Sequence, residues 1–224
     1  QLALSDCDCE YIWLLNNDTL VNAQSLPNVI ARMQQDRTIG ICGSTLIYAH
    51  TPNAVQAFGG SSYQPYSGRS AHIGYLATPA QAPTDPAPVE CQLHMIVGAA
   101  MLVSRQFVET VGLMQEDYFL YYEEIDWAIR GRAHFRLGYA PLSLVWHKEG
   151  ASIGTSSSGG SALSMYYLYR NRLRFTARFY PYFVPSVLFF CALDLGKLMV
   201  KRRWRQIFAA LRGILHLAPP RPNV

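Results

Sequence analysis

Short apolar runs alternate with stretches of helical periodicity along the first 150 positions. Residues 11–15, Tyr-Ile-Trp-Leu-Leu, carry no charge or amide, which suits a strand buried on both faces, as in a parallel sheet. From 25 to 35, Leu26, Val29, Ile30 and Met33 recur at helical spacing, with Pro27 in the tolerant first turn. Ile39-Gly-Ile-Cys-Gly43 reads as a second buried strand, extended by Thr45 to Tyr48. Residues 93–103 are the most hydrophobic part of the body and predict strand, turn and strand, with Gly98-Ala99 giving close backbone access. Ser104 then caps a helix that carries Phe107, Val108 and Val111 and stops at Gly112. A turn at 137–141 leads into a strand at 142–146 that ends on His147. Strands alternating with helices predict an α/β domain with a mixed sheet flanked by helices.

Two stretches break this pattern. Residues 51–90 carry Gly59-Gly60, Gly68 and then Pro79, Pro83, Pro86 and Pro88. They predict hairpin character near 57–75 and a mobile segment near 78–89. Residues 150–160, rich in Ser and Gly, read as a flexible segment that closes over a site or leads out of it.

The C-terminal part has a different character. Positions 164–179 interleave Tyr166, Tyr167 and Tyr169 with Arg170, Arg172, Arg174 and Arg178. Residues 182–193 are apolar apart from Ser186, too short for a spanning helix of about 20 residues, and Asp194 and Lys197 interrupt any extension. From Arg202 onward, a helical face of Trp204, Ile207, Phe208, Leu211 and Leu215 is crowded by Lys201, Arg202, Arg203, Arg205 and Arg212. That is the pattern of an interfacial helix, and equally of a helix packed on the body, since periodicity does not separate the two. The boundary expected is 1–160 for a catalytic portion and 161–224 for a helical, membrane-associating tail.

Composition sharpens the contrast. With 224 residues, half of them hydrophobic, the chain can build one large domain with an appendage. Thirteen prolines and sixteen glycines argue against a helical bundle. The net charge of +4 hides an asymmetry: positions 1–163 hold 8 Lys and Arg against 14 Asp and Glu, whereas 164–224 hold 11 against Asp194 alone. A basic, partly apolar tail fits an anionic membrane surface in both charge and hydrophobicity; nucleic acid matches the charge only, and no recognition motif frames the arginines. The five cysteines, Cys7, Cys9, Cys42, Cys91 and Cys191, are odd in number and scattered. They read as reduced thiols of an intracellular protein, and no second pair completes a zinc site with Cys7 and Cys9. No secretory signal is legible at the N-terminus.

The candidate chemistry centres on residues 118–130. Glu123, Glu124 and Asp126 fall within four positions, and five of the six residues before Glu124 are apolar or aromatic. Ile125, Ala128 and Ile129 then take helical spacing, and Asp126 and Arg130 form an i,i+4 ion pair. The carboxylates therefore stand at a helix N-terminus, which favours negative charge. An apolar approach raises a carboxylate's pKa towards that of a working proton acceptor. Asn16, Asn17 and Asp18 close the run 11–15. Polar groups at the end of a strand are where open α/β sheets place ligands, and Asp18 and Asn16 offer hard oxygens to a divalent cation. A turn followed by a helix cap explains the same residues. His147 repeats the geometry of Asp18, a polar group ending an apolar strand.

Taken in order, three motifs resemble the inverting glycosyltransferases of family 2, of GT-A fold, close to the bacterial rhamnosyltransferase-like group. Leu14-Leu-Asn-Asn-Asp-Thr19 is similar to the family's metal-binding Asp-x-Asp variant. Gly98-Ala-Ala-Met-Leu-Val103, with Phe119-Leu-Tyr-Tyr-Glu-Glu-Ile-Asp-Trp127 and Arg130, resembles the acceptor-side strand and catalytic Glu-Asp motif. Val145-Trp-His-Lys-Glu-Gly-Ala-Ser152 resembles the site-closing segment with its histidine.

The resemblance implies roles. Asp18, with Asn16, would bind Mg2+ or Mn2+ on the diphosphate of a dTDP- or UDP-sugar. His147 would contribute to metal or diphosphate, and Asn17 and Arg130 to donor binding. Glu124 would deprotonate the acceptor hydroxyl of a lipid-linked or cell-surface glycan, while Glu123 and Asp126 position the acceptor and the helix. Such an enzyme is expected to be cytoplasmic, peripheral on the inner face of the membrane. Two features depart from the family. Its base is more often Asp than Glu, and its opening nucleotide-binding strands have no counterpart here. The expected fold is thus an incomplete GT-A sheet that binds sugar nucleotide poorly by itself. The alternative is a catalytically incomplete fragment that docks on a membrane or partner.

Overall fold

The computed structural model describes residues 8–148 and 160–220. The segment 150–159, expected to be flexible, and Cys7 lie outside the described residues. The chain divides into two compact units. The first comprises 1–63, 70–114 and 124–149, and the second 64–69, 115–123 and 150–224.

The first unit is a mixed α/β layer structure. Its elements are β1 (Tyr11–Leu15), β2 (Thr19–Val21), α1 (Ser25–Gln35), β3 (Ile39–Tyr48), β4 (Val55–Phe58), β5 (Gly60–Gln64), β6 (Arg69–His72), α2 (Ala87–Glu90), β7 (Met95–Ile96), β8 (Ala100–Ser104), α3 (Arg105–Val111), α4 (Glu123–Gly131) and β9 (Arg136–His147). The main sheet runs β1-β8-β3-β9-β2 with β4 added to β3, and a three-stranded sheet runs β6-β5-β7. Among the described residues, β3 and β9 pair in parallel and the other registered pairs of the main sheet are antiparallel.

Alternation on β8 shows why both faces are covered. Met101 and Val103 pack with Phe107, Val108 and Trp127. Leu102, between them, packs with Val29 and Met33 of α1. One strand residue in two thus feeds each helix layer. Ser104 caps α3 by accepting the Phe107 N–H, and α3 ends at Gly112 with φ of 83°, as the sequence predicts.

Three expectations are corrected. β1 is not buried within a parallel sheet: it lies at a sheet edge, antiparallel to β8, with Leu14 and Leu15 more than a third exposed. The predicted turn at 137–141 is part of one 12-residue strand. A register shift opposite Ser44 and Thr45 lets residues 141–143 bulge, which accommodates Pro141 without a ladder N–H. The segment expected to be mobile near 78–89 instead folds into a 3-10 turn at Pro79–Gln81 and into α2. The buried Glu90 anchors its end: the Arg32 guanidinium donates two bonds to it, at 3.0 and 2.8 Å, and the Tyr139 N–H a third at 2.9 Å.

The second unit contains α5 (Ala162–Phe179), α6 (Val184–Val200) and α7 (Trp204–Ile214). Tyr169, Leu173, Val187, Cys191 and Ala210 form its core. Asp194 and Lys197 do not interrupt the apolar segment, because α6 runs through both. Pro181–Val200, 20 residues, is long and apolar enough to cross a membrane by length and composition alone. A methyl group on Gly213 would overlap the Tyr166 carbonyl oxygen, so glycine there lets α7 approach the α5 backbone. None of Cys9, Cys42, Cys91 and Cys191 forms a disulfide.

Candidate active site

Antiparallel pairing delivers the first contact. β2 pairs with β9 so that Thr19 faces His147, and the Lys148 N–H donates to the Asp18 carbonyl at 2.9 Å. Asp18, one residue before Thr19, therefore stands beside the end of β9. Its Oδ1 lies 3.3 Å from His147 Nε2. The contact is close enough for a charge interaction, yet Oδ1 is buried and accepts no hydrogen bond. The other ring nitrogen, Nδ1, lies 2.8 Å from Gln56 Oε1. An amide oxygen only accepts, so Nδ1 carries the proton and donates. In the neutral ring Nε2 then presents a lone pair to a carboxylate oxygen. That arrangement is relieved by a second proton on the ring or by a cation held between the two groups.

Gln56 reaches this position because of a bulge. β3 and β4 pair Leu46 with Ala57 and Ile47 with Val55, leaving Gln56 unmatched. Bulges re-aim a side chain in this way, and Gln56 is buried at 3 % exposure.

The second contact joins the turn before Asp18 to the carboxylate helix. The Asn16 N–H donates to the Ala99 carbonyl at 3.0 Å, and the Asn16 carbonyl accepts from the Thr19 N–H and hydroxyl. Gly98, next to Ala99, lies against Glu124: a methyl group at 98 would stand 2.6 Å from Glu124 Oε1. Asp18 and His147 thus touch directly, and Glu124 sits against the turn to which the Asp18 turn is bonded. Asn16 takes part through its backbone, and the Asn16 and Asn17 side chains are exposed.

Asp126 and Arg130 form the expected pair and hold the helix in place. Asp126 is wholly buried and accepts from Arg130 Nε at 2.7 Å. Arg130 also donates to the Val111 and Leu113 carbonyls, each at 2.8 Å, and Trp127 Nε1 donates to Gly112 O at 2.7 Å. These bonds clamp α4 to the end of α3. Asp126, with no exposed surface, orders the helix, and Arg130 anchors it to the backbone at 111–113.

Glu123 closes a strained loop within the second unit. Phe119, Tyr121 and Tyr122 have φ of 63°, 65° and 75°, rare for aromatic residues and costing of order 1–3 kcal/mol each. Asn171 on α5 holds this backbone, its Nδ2 donating to the carbonyls of Tyr118, Leu120 and Tyr121 at 2.8, 2.7 and 3.1 Å. Tyr122 Oη donates to Gly68 O at 2.6 Å, and Tyr121 Oη meets Ser164 Oγ at 2.8 Å. Burial raises the Glu123 carboxyl above its ordinary range, against a backbone hydrogen bond that lowers it. Its Oε2 is buried without a hydrogen-bond donor. The apolar approach legible in the sequence therefore acts on Glu123.

Among the described residues no group of three or more His, Cys, Asp and Glu side chains is set to hold a metal ion. Asp18 and His147 supply two donors, one an orphaned carboxylate oxygen. Mg2+ and its analogues are ordinarily held by one or two carboxylates, with water and substrate phosphates completing the shell. The pair fits that mode and does not fit an all-protein cage. Gln56 and Asn171 carry no sequence signal for their tasks: the first depends on a register shift, the second on a contact between distant segments.

No protein-family profile and no curated protein sequence matches the chain. Among solved structures, a mannosyltransferase from Pyrobaculum calidifontis, in complex with GDP-Man and Mn2+, is similar at a TM-score of 0.45 and 13% identity. The match covers 95% of this chain and 64% of that one, so this chain spans less than two thirds of that structure's length.

Proposed function

We propose that this protein transfers a sugar from a nucleotide-diphosphate donor to an acceptor hydroxyl, with inversion at the anomeric carbon. The observation that supports it is the linkage of Asp18 and His147 with Glu124 through the Asn16–Ala99 hydrogen bond and Gly98. In this reading Asp18 and His147 hold a Mg2+ or Mn2+ ion, which supplies charge to offset the leaving diphosphate. Gln56 keeps the His147 lone pair turned towards that position. Glu124 accepts the acceptor's hydroxyl proton as that oxygen bonds to the anomeric carbon and the carbon–oxygen bond to the diphosphate breaks. Gly98 leaves room for the carboxylate. The ordered motifs favour a dTDP- or UDP-linked donor, rhamnose or another hexose, and a lipid-linked or cell-surface glycan as acceptor, with the enzyme working on the cytoplasmic side.

The test is transfer of label from dTDP-rhamnose and UDP-hexoses to a bacterial lipid extract. Glu124→Gln should lower turnover by roughly 10²-fold or more, the scale of lost general-base catalysis, with donor affinity unchanged. Unaltered turnover in that variant removes Glu124 as the base. Equal rates with and without chelator remove the metal.

A further inference from the structure

We infer that α6 and α7 together form a docking face for an anionic lipid surface, lying in the interface without crossing it. The inference concerns the second unit alone and stands whether or not the first unit transfers sugar.

The decisive observation is which side of α7 packs inward. The sequence groups Ile207 with Trp204, Phe208, Leu211 and Leu215 as one apolar face. The structure divides them. Ile207, Ala209, Ala210 and Gly213 are buried, with Ala210 in the helical core, whereas Trp204 is 51 % exposed and Phe208 and Leu215 64 % each. Ile207 and small residues face inward, and Trp204, Phe208 and Leu215 are turned to solvent. α6 repeats the division. Val187 and Cys191 are buried, and Phe189 and Leu193, four positions apart, are exposed at 61 % and 45 %. Exposed apolar surface on two packed, neighbouring helices marks an interaction face.

Charge selects the partner. Lys201, Arg202 and Arg203 join the two helices, and Arg205 and Arg212 flank the α7 stripe. No acidic residue lies beyond Asp194, and Asp194 is already engaged, by Arg69 at 2.5 Å and by Arg172 at 3.1 Å. Large apolar side chains beside the basic run Lys201-Arg-Arg203 fit an anionic interface, where each Lys or Arg adds attraction and the apolar stripe enters the acyl boundary. The same Asp194 cluster argues against crossing: a spanning α6 would carry Asp194, Arg172 of its packed neighbour and Lys197 into hydrocarbon.

The experiment is co-sedimentation of the whole chain with vesicles of phosphatidylcholine, with and without phosphatidylglycerol. Tryptophan emission is followed in parallel. Binding is expected only with the anionic lipid, weakening roughly tenfold or more between about 0.1 M and about 1 M salt, as the Debye length falls from about 10 to about 3 Å. Emission should shift to the blue on binding, and Trp204→Phe should lose the shift while still binding. Phe208→Ser with Leu215→Ser should weaken binding roughly tenfold with an unchanged circular dichroism spectrum. Equal binding to neutral vesicles, no binding to either, or full binding by the double variant overturns the inference. So does an alkali-resistant, integrated α6, or a dimer that the double variant disperses.

Discussion

Asp18 Oδ1 and His147 Nε2 stand 3.3 Å apart, and the far side of the imidazole is fixed by Gln56 at 2.8 Å. In the proposed reading the pair would hold a cation, with the imidazole tautomer set from behind. Gln56→Leu should therefore weaken Mn2+ binding in the presence of a nucleoside diphosphate by about 10–100-fold, the usual effect of losing a ligand's outer hydrogen bond. Asp18→Asn should weaken it at least as much. Titration of the free-ion resonance signal measures both, and a Gln56→Leu variant with unaltered affinity would show that His147 needs no such support.

Gly98→Ala separates geometry from folding. The added methyl would meet the flexible end of Glu124 at 2.6 Å, so the carboxylate must move while the backbone need not. Turnover should fall roughly 10²-fold, the cost of an ångström's misplacement at a reacting group. Donor affinity and melting temperature should stay near their original values. A variant that keeps its turnover would place the reacting proton elsewhere than on Glu124.

Asp126 and Arg130 form a buried pair that also holds the 111–113 backbone. Removing one member leaves a charge without compensation, so Asp126→Ala should destabilise the fold by about 3–5 kcal/mol in urea titration. The double variant Asp126→Ala with Arg130→Ala should cost less than the sum of the two single changes, because they share one interaction. Arg130→Ala should leave donor affinity unchanged in enzyme that remains folded. A selective loss of donor affinity would restore Arg130 to the binding site.

Glu123 makes stability depend on pH in a definite direction. Its carboxyl is raised above the ordinary glutamate value of 4.5 by burial, so the folded chain keeps the proton longer than the unfolded chain. This contribution is fully present below 4.5 and is lost as pH rises through the raised value. Glu123→Gln should flatten that fall, and near neutral pH its melting temperature should equal or exceed that of the original protein. Melting curves from pH 4 to 8 decide this; a variant less stable than the parent, by a margin that grows with pH, refutes it.

Much of the architecture was legible because it is local. Helical spacing over 25–35, the Ser104 cap, the Gly112 stop and the Asp126–Arg130 pair depend on residues within one or two turns of one another, and all are found as read. Pro141 misled because a bulge opposite Ser44 and Thr45 absorbs it, and no feature of the proline announces that shift. Asp194 misled for a related reason: a charge reads as a helix interruption until Arg69 and Arg172, distant in sequence, neutralise it.

The sequence by itself determined the elements, the acidic cluster at the start of α4, the polar group after β1 and the basic excess of the tail. These follow from side-chain chemistry and short-range periodicity. Tertiary structure decided which of those groups meet. It brought His147 to Asp18 through the pairing of β2 with β9, aimed Gln56 by a bulge, set Glu124 on Gly98 and gave the buried environment to Glu123. It also turned Trp204, Phe208 and Leu215 outward, because Ala210 and Gly213 permit closer packing on α5 than the bulkier face does.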